Sequence, residues 1–528
     1  MRKISLGICF RIWISSAFLL TSCSATRSSS GELVVNMKDD PRSLDPREVR
    51  LLSDINLIKH LYEGLVQEIP GTEILEPALA KSYEISQDRK TYTFKLREAF
   101  WSNGDRIQAQ DFVDSWKQII TEEISSIYTF ALSPIKNVNN IQKGLAELDS
   151  VGFYAKDDTT IIIELEEATA HFLQLLALPI FFPVHKTQRQ RSPNLPITTS
   201  AFYPKKIKQK QWLKLAKNPH YYNKDKVSTQ RITIHFIPDP NTAALMFNQG
   251  KLHWQGPPWG QPIPKETLAH LQSKGHLHSF DVLGTSWLTF NVNTPPLNHI
   301  KLRKALSLAI DKNALVSTIF LDKAKPTDHL LPRNLHTYPA SNIMSQQERV
   351  RLAKQLFQEA LQELGICSKD LENLSIIFPS TSPTNALLVQ MIREQWKETL
   401  GFVIPIFGKE FSVLQSDLSS GNFFLATGGW FADFPDPMAF LTIFADPFGI
   451  APYVIHQKEF QNLIHTIQKE TDPQKRAIMI SEAALYLEKF HIIEPIYHDA
   501  IQCAFHRKLN NLGFSSTGVV DFRYIREP

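Results

Sequence analysis

A chain of 528 residues, 43% apolar and 21% charged, has the composition of an ordinary folded protein. Single hydrophobic cores stop growing beyond about 250–300 residues, so at least two domains are expected. The formal charge of +4 argues against nucleic-acid binding, which usually needs a strongly basic face. Four cysteines, Cys9, Cys23, Cys367 and Cys503, include no Cys-x-x-Cys pair, which excludes zinc-ribbon and thioredoxin-type sites.

Residues 1–22 read as an export signal. Arg2, Lys3 and Arg11 supply positive charge ahead of and beside the apolar stretch 12–20, IWISSAFLL. That stretch is too short to span a bilayer core of about 30 Å. It ends Leu20-Thr21-Ser22-Cys23, which resembles the lipobox of bacterial lipoproteins, with Cys23 the lipid attachment point. Each buried lipid CH₂ is worth about 0.8 kcal/mol, so a multiply acylated Cys23 tethers the chain stably. A plain signal peptide or an uncleaved anchor are the alternatives. Cleavage removes the three cations named above and lowers the charge from +4 to +1. Residues 23–31 then form a short lipidated tether. Cys367 and Cys503 remain, in a compartment that permits a disulfide, and their pairing is left open.

Beyond the tether the chain shows no fixed-period repeat, which excludes solenoids and propellers. Residues 91–96 alternate, with Tyr92, Phe94 and Leu96 on one face of a half-buried strand. Ile232, Ile234 and Phe236 repeat the pattern, as do Leu288, Phe290 and Val292. Helical spacing predicts one helix over 301–320, on Leu302, Ala305, Leu306 and Ala309. A second covers 351–364, with Leu352, Leu356, Phe357, Ala360, Leu361 and Leu364 on one stripe and Gly365 closing it. Pro383 opens a third, with Leu388, Ile392 and Trp396 inward and Gly401 at its end. Both element types together point to α/β domains with helix-covered sheets.

Several blocks in order along the chain carry a family resemblance. They are Asp40-Pro41-Arg42-Ser43-Leu44-Asp45-Pro46, His60-Leu61-Tyr62-Glu63-Gly64-Leu65, Trp101-Ser102-Asn103-Gly104-Asp105 and Asp111-Phe112-Val113-Asp114-Ser115-Trp116. Further along come Asn218-Pro219-His220-Tyr221-Tyr222, then Phe290-Asn291 through Ala309-Ile310-Asp311-Lys312, and finally Gly429-Trp430-Phe431-Ala432-Asp433-Phe434-Pro435-Asp436-Pro437. In this order and spacing the chain resembles the oligopeptide-binding lipoproteins of bacterial ABC importers, the peptide/nickel group of solute-binding proteins.

The resemblance implies a bilobal periplasmic-binding-protein fold, class II-like, with an extra inserted domain and two lobes joined by crossing strands. Domain I would take 32–62, 187–281 and 519–528, domain II 63–186, and domain III 282–518. The implied function is capture of oligopeptides in the interlobe cleft and delivery to an ABC permease. The protein would be a monomer with no cofactor, held at the outer face of the cell membrane by lipid on Cys23. Cell-wall peptides, a metal chelate or a peptide-sensing role on the same fold are the alternatives.

A carrier that accepts many sequences must grip the ligand backbone and termini, because only these are common to all peptides. A buried ligand ammonium needs a carboxylate, and the resemblance assigns that role to Asp433. Trp430 would wall the cleft, while Gly428, Gly429 and Phe431 would offer backbone groups to a closely approaching ligand. Leu52 falls in a segment that pairs with ligand backbone, and Trp287 would line the cleft near the second or third ligand residue. Trp254 and Trp259 mark an aromatic, turn-rich loop. Some members carry a disulfide at positions that here read Gly284 and Phe431, and arginines shortly before the Asp433 motif; this chain has Leu418 and Thr427 there.

Enzymatic readings find no support: the chain has no Gly-x-Ser-x-Gly elbow, no His-Glu-x-x-His and no dinucleotide fingerprint. His270, His276 and His278 form one dense cluster with no carboxylate or cysteine to complete a ligand set, and are read as solvated surface.

Overall fold

The computed structural model describes residues 31–525 apart from 70, 122, 123, 125, 189–194, 321, 322, 337, 339–343, 446–456, 507, 508, 510 and 511. The export signal, Cys23 and all of the tether except Gly31 lie outside the described residues.

One lobe is built on two four-stranded sheets. In the first, Glu32–Met37 pairs in parallel with Arg231–Phe236, which continues antiparallel to Trp212–Lys217 and Phe202–Lys208. Ile232, Ile234 and Phe236 are buried, as their alternation requires. In the second, Ala80–Ile85, Thr91–Leu96, Thr160–Glu164 and Phe153–Asp157 form an antiparallel sheet whose inner face holds Tyr92, Phe94 and Leu96. The helix Ala109–Ile120 buries Phe112, Trp116 and Ile119 behind it. The end of the chain returns to this lobe, where the Arg523 guanidinium donates to Glu63 at 2.6 Å and pairs with Asp521 at 2.8 Å.

The other lobe is built on a mixed seven-stranded sheet. Its two long strands, Leu277–Phe290 and Ile493–Phe505, pair antiparallel and cross between the lobes. Trp254–Gln255 joins Ile493–Phe505 at the first-lobe end, and Leu425–Phe431, Ile376–Pro379 and Ile406–Lys409 extend the sheet from Leu277–Phe290 in the second lobe. The ladder of the crossing pair is interrupted between Asp281 and Thr285. There the Leu283 N–H donates to the Ser516 carbonyl at 2.8 Å, and the Leu283 carbonyl accepts from the Ala432 N–H at 2.7 Å. The backbone of the first crossing strand is thus diverted to the segments that border the cleft.

The helices Gln346–Leu364 and Pro383–Leu400 form as their apolar stripes predict, closed by Gly365 and Gly401 at φ 67° and 78°. The single helix expected over 301–320 is instead two, Ile300–Leu308 and Lys312–Phe320. Asp311 divides them: its carboxylate accepts from the Ala314 N–H at 3.0 Å, the bond of a new helix start. Val292 is buried but lies beyond the strand end at Phe290.

Candidate functional site

A cleft of about 740 Å³ opens between the lobes. Leu51, Leu52 and Ile55 line it from the start of the helix Leu52–Leu61, and Tyr128 joins them from the same lobe. Phe320, Phe431 and Asp433 face them from the second lobe, and Ala500, Ile501 and Gln502 of the second crossing strand form its floor.

Asp433 is half-buried, and its Oδ1 accepts a hydrogen bond from the Tyr128 hydroxyl at 3.1 Å, a contact that reaches across the cleft. Burial pushes its carboxyl up to about 6, against the opposing effect of that hydrogen bond. The Tyr128 hydroxyl is itself raised, first by burial and then by the Asp433 charge. No described cation forms an ion pair with Asp433. Asp436, in the same loop, is satisfied internally. It accepts from the Arg476 guanidinium at 2.8 and 2.9 Å and from the Met438 N–H at 2.9 Å, where it starts the helix Met438–Ala445.

Strand alternation sorts the remaining residues of the motif. In Leu425–Phe431, Phe431 shares a face with Gly429, and Trp430 shares the opposite face with Gly428. Phe431 is 51% exposed and lines the cleft; Trp430 does not line it and packs partly buried against the core, its indole N–H without a partner. In this structure Phe431 rather than Trp430 lines the cleft, because period two turns neighbouring side chains to opposite faces. Gly428 is also explained by packing. A Cβ there would lie 2.5 Å from Nε1 of Trp287, so the glycine admits that indole. Gly429 is exposed, with the Ser286 hydroxyl 3.3 Å from where its Cβ would be.

Trp287 is buried beneath this strand and does not reach the cleft. Its indole N–H donates to the Thr289 hydroxyl at 3.1 Å and its ring packs 5.7 Å from Phe444. Leu52 does line the cleft, but as the first residue of a helix; the extended backbone beside it is at Val49 and Leu51. Gly284 and Phe431 are direct ladder partners, and the Phe431 ring fills the space where a Gly284 Cβ would stand, 2.8 Å away. Trp254 and Trp259 are fully buried, both packed against Phe522.

The histidine cluster is not solvated as a whole. His270 is exposed, but His278 stacks on Phe505 at 3.8 Å and His276 packs against His506 at 4.6 Å, so aromatic packing replaces the expected water. Among the described residues no group of three His, Cys, Asp or Glu is placed to hold a metal ion. Cys367 is exposed and Cys503 buried, and both are free thiols; burial pushes that of Cys503 upward. No described helix is long and apolar enough to cross a membrane.

Tyr128 carries no motif and was invisible to sequence reading. Only its reach across the cleft to Asp433 marks it.

Known proteins share this architecture and align with most of this chain's length. The oligopeptide-binding protein OppA of Bacillus subtilis is 29% identical over 503 residues, covering 93% of this chain and 92% of its own. The periplasmic oligopeptide-binding protein OppA of Escherichia coli is 26% identical over 489 residues, covering 90% and 88%. The solved murein tripeptide binding protein MppA of Escherichia coli superposes with a TM-score of 0.77 at 25% identity, over 95% of this chain and 99% of that one. The model of the bacterial extracellular solute-binding proteins, family 5, matches residues 75–451, and by that match across most of its length this chain belongs to that family.

Proposed function

We propose that this protein is an extracytoplasmic lipoprotein that captures oligopeptides between its lobes and delivers them to an ABC importer. The observation that carries the reading is Asp433, a half-buried carboxylate at the cleft that forms no ion pair with a cation among the described residues. A ligand ammonium supplies that charge. Tyr128, already bonded to the same carboxylate from the other lobe, lets the ligand's end be held by both walls at once.

Backbone recognition has a place as well. The strand Leu425–Phe431 pairs along its whole length with Leu277–Phe290, but on its other side only Leu425 and Ala426 are paired, with Ile376 and Ile377. The outer edge at 427–431 has no ladder partner among the described residues, and an extended peptide added there satisfies it as a further strand. Phe431 and Leu52 then form the apolar walls, while Trp287 supports the strand from beneath. Closure is a hinge about the crossing strands, between lobes divided as 32–62, 187–281 and 519–528 with 63–186 on one side and 282–518 on the other. The mature chain is a monomer anchored by lipid on Cys23, working with a membrane permease and carrying out no reaction on its cargo.

Calorimetric titration of the Asp433→Ala variant tests the reading. Free-amine peptides weaken by more than about 2 kcal/mol, because one partner of a buried charge pair is gone. The same peptides N-acetylated bind the variant and the native chain alike. Equal losses for both forms would remove Asp433 from the role.

A further inference from the structure

A concentration of one sign of charge lies outside the cleft. Between 201 and 217 the chain carries six lysines, Lys205, Lys206, Lys208, Lys210, Lys214 and Lys217, and no acid. None of them lines the cleft. The segment folds as the antiparallel hairpin Phe202–Lys208 and Trp212–Lys217, at the outer end of the sheet that also holds Glu32–Met37. Leu213 and Leu215 bury the hairpin's inner face, so Trp212 and Lys214 lie on the outer one. There Lys206 stands directly opposite Lys214, and Lys208 directly opposite Trp212. Lys205 is exposed beside them, at a shift in the register. The Lys214 ammonium lies 4.9 Å over the Trp212 ring.

Two of these lysines are tied locally. Lys217 Nζ donates to the Val227 carbonyl at 2.7 Å, and at the hairpin turn the Lys210 N–H donates to the Asp40 carboxylate at 2.8 Å. The other four are exposed, and none forms an ion pair with a described residue. Glu32, on the first strand of the sheet, accepts instead from the Thr233 hydroxyl at 2.8 Å. Like charges directly opposed on a ladder weaken it, so Lys206 and Lys214 cost the hairpin stability. Lysines on an edge strand guard it against pairing with another chain, which accounts for Lys205, Lys206 and Lys208 on the outermost strand. It does not account for Lys214, on the strand inside that edge.

The same sheet carries the root of the tether. Gly31 precedes Glu32–Met37, and Val34, Thr233, Lys214 and Lys206 form one row across the four strands. The row starts three residues from Gly31, and its lysines stand two and three strands across, roughly 14–18 Å away. From Gly31 back to Cys23 are eight residue steps, at most about 29 Å of chain. Lipid on Cys23 keeps the hairpin within reach of the bilayer surface.

Resting on the lipid-anchored reading above, we infer that this hairpin is a membrane-contact face, on which Lys205, Lys206, Lys208 and Lys214 receive the phosphates of anionic lipid headgroups. Each lysine held at such a surface strengthens the contact roughly fivefold. Trp212, half-buried among them, suits the headgroup level, where an indole meets apolar and wet layers together. The headgroup phosphates also offset the repulsion between Lys206 and Lys214. The attraction fades within a Debye length of about 8 Å at physiological salt, so the short tether is what keeps the face engaged. Contact there fixes the first lobe relative to the bilayer, and with it the direction in which the cleft opens.

The test reconstitutes the native lipidated chain on vesicles of phosphatidylglycerol mixed with phosphatidylcholine, and on phosphatidylcholine alone. Lysines are labelled with acetic anhydride and read by mass spectrometry. The lipid holds the chain on both surfaces, so the difference between them reports the contact. On the anionic vesicles Lys206, Lys208 and Lys214 react about fivefold or more slowly than on the neutral ones. Molar salt abolishes that difference. Lys354 and Lys369, exposed on the second lobe, react alike on both. In the Lys206→Gln/Lys208→Gln/Lys214→Gln variant, Lys205 loses its protection. Equal reactivity on the two surfaces overturns the inference and leaves the anchor standing. So does slowing shared by Lys354 and Lys369, or protection of Lys205 that survives in the triple variant. A Cys23 peptide without lipid in the same spectra removes the anchored reading, and this inference with it.

Discussion

Three residues apart in one loop, Asp433 and Asp436 meet opposite surroundings. Burial alone would raise both carboxyls. For Asp436 the Arg476 guanidinium and the Met438 N–H reverse that, holding it below the usual carboxylate range. Among the described residues Asp433 receives only the Tyr128 hydroxyl, and it is left at about 6. The same side chain is structural where the protein supplies its cation and a receptor where the cation is to arrive with a ligand. Sequence alone does not separate the two, since the loop reads Asp-Phe-Pro-Asp and either acid fits a turn.

The largest effect that breaks this contrast is on stability. Asp436→Asn leaves the Arg476 guanidinium buried without its partner and costs about 3–5 kcal/mol, read as a shift in the midpoint of urea unfolding. Asp433→Asn removes a carboxyl that burial already penalises, so at neutral pH the unliganded protein keeps its stability or gains a little. Comparable losses in both variants would mean that Asp433 is a structural acid as well.

The two glycines of the motif divide in the same way, at a smaller magnitude. Gly428→Ala drives a methyl into the Trp287 indole, 2.5 Å away, and overpacking of this kind costs about 1–3 kcal/mol. Gly429→Ala meets the Ser286 hydroxyl at 3.3 Å and the Thr285 carbonyl at 3.4 Å, ordinary or nearly ordinary contacts on the exposed face, so unfolding midpoints move little while peptide affinity falls. Loss of stability in the second variant without loss of affinity would assign both glycines to packing.

Much of the fold was legible because burial enforces periodicity. The strand at 91–96, the helix ending at Gly365 and the helix from Pro383 to Gly401 all follow from apolar spacing and end residues. The break at Asp311 was not legible, because a side-chain carboxylate competing for a backbone N–H leaves the apolar stripe around it intact. In the site, the motif located Asp433 and the strand before it. It did not say which of Trp430 and Phe431 faces the cleft; that depends on register against Leu277–Phe290, a pairing between residues far apart in the chain. Tyr128 escaped for the same reason. Its significance lies in Asp433 standing opposite it across the cleft, and no local pattern records that.

The smallest expected effect is a pH dependence, and its sign discriminates. An unfolded aspartate titrates near 3.9, whereas Asp433 titrates at about 6 in the folded chain. The folded state therefore holds this proton more tightly. Its contribution to stability is present below about pH 4 and is lost as pH rises through about 6. Measured as the native chain minus Asp433→Asn, the unfolding free energy should decline between about pH 4 and 6 and level off above 7. Ligand binding runs the other way: free-amine peptides need the carboxylate, so their affinity rises through the same interval, while N-acetylated peptides show no such rise. Tyr128→Phe removes the hydrogen bond that favours the ionised form, so both transitions move to higher pH. If the two transitions moved apart, or in opposite directions, the group governing affinity would not be Asp433.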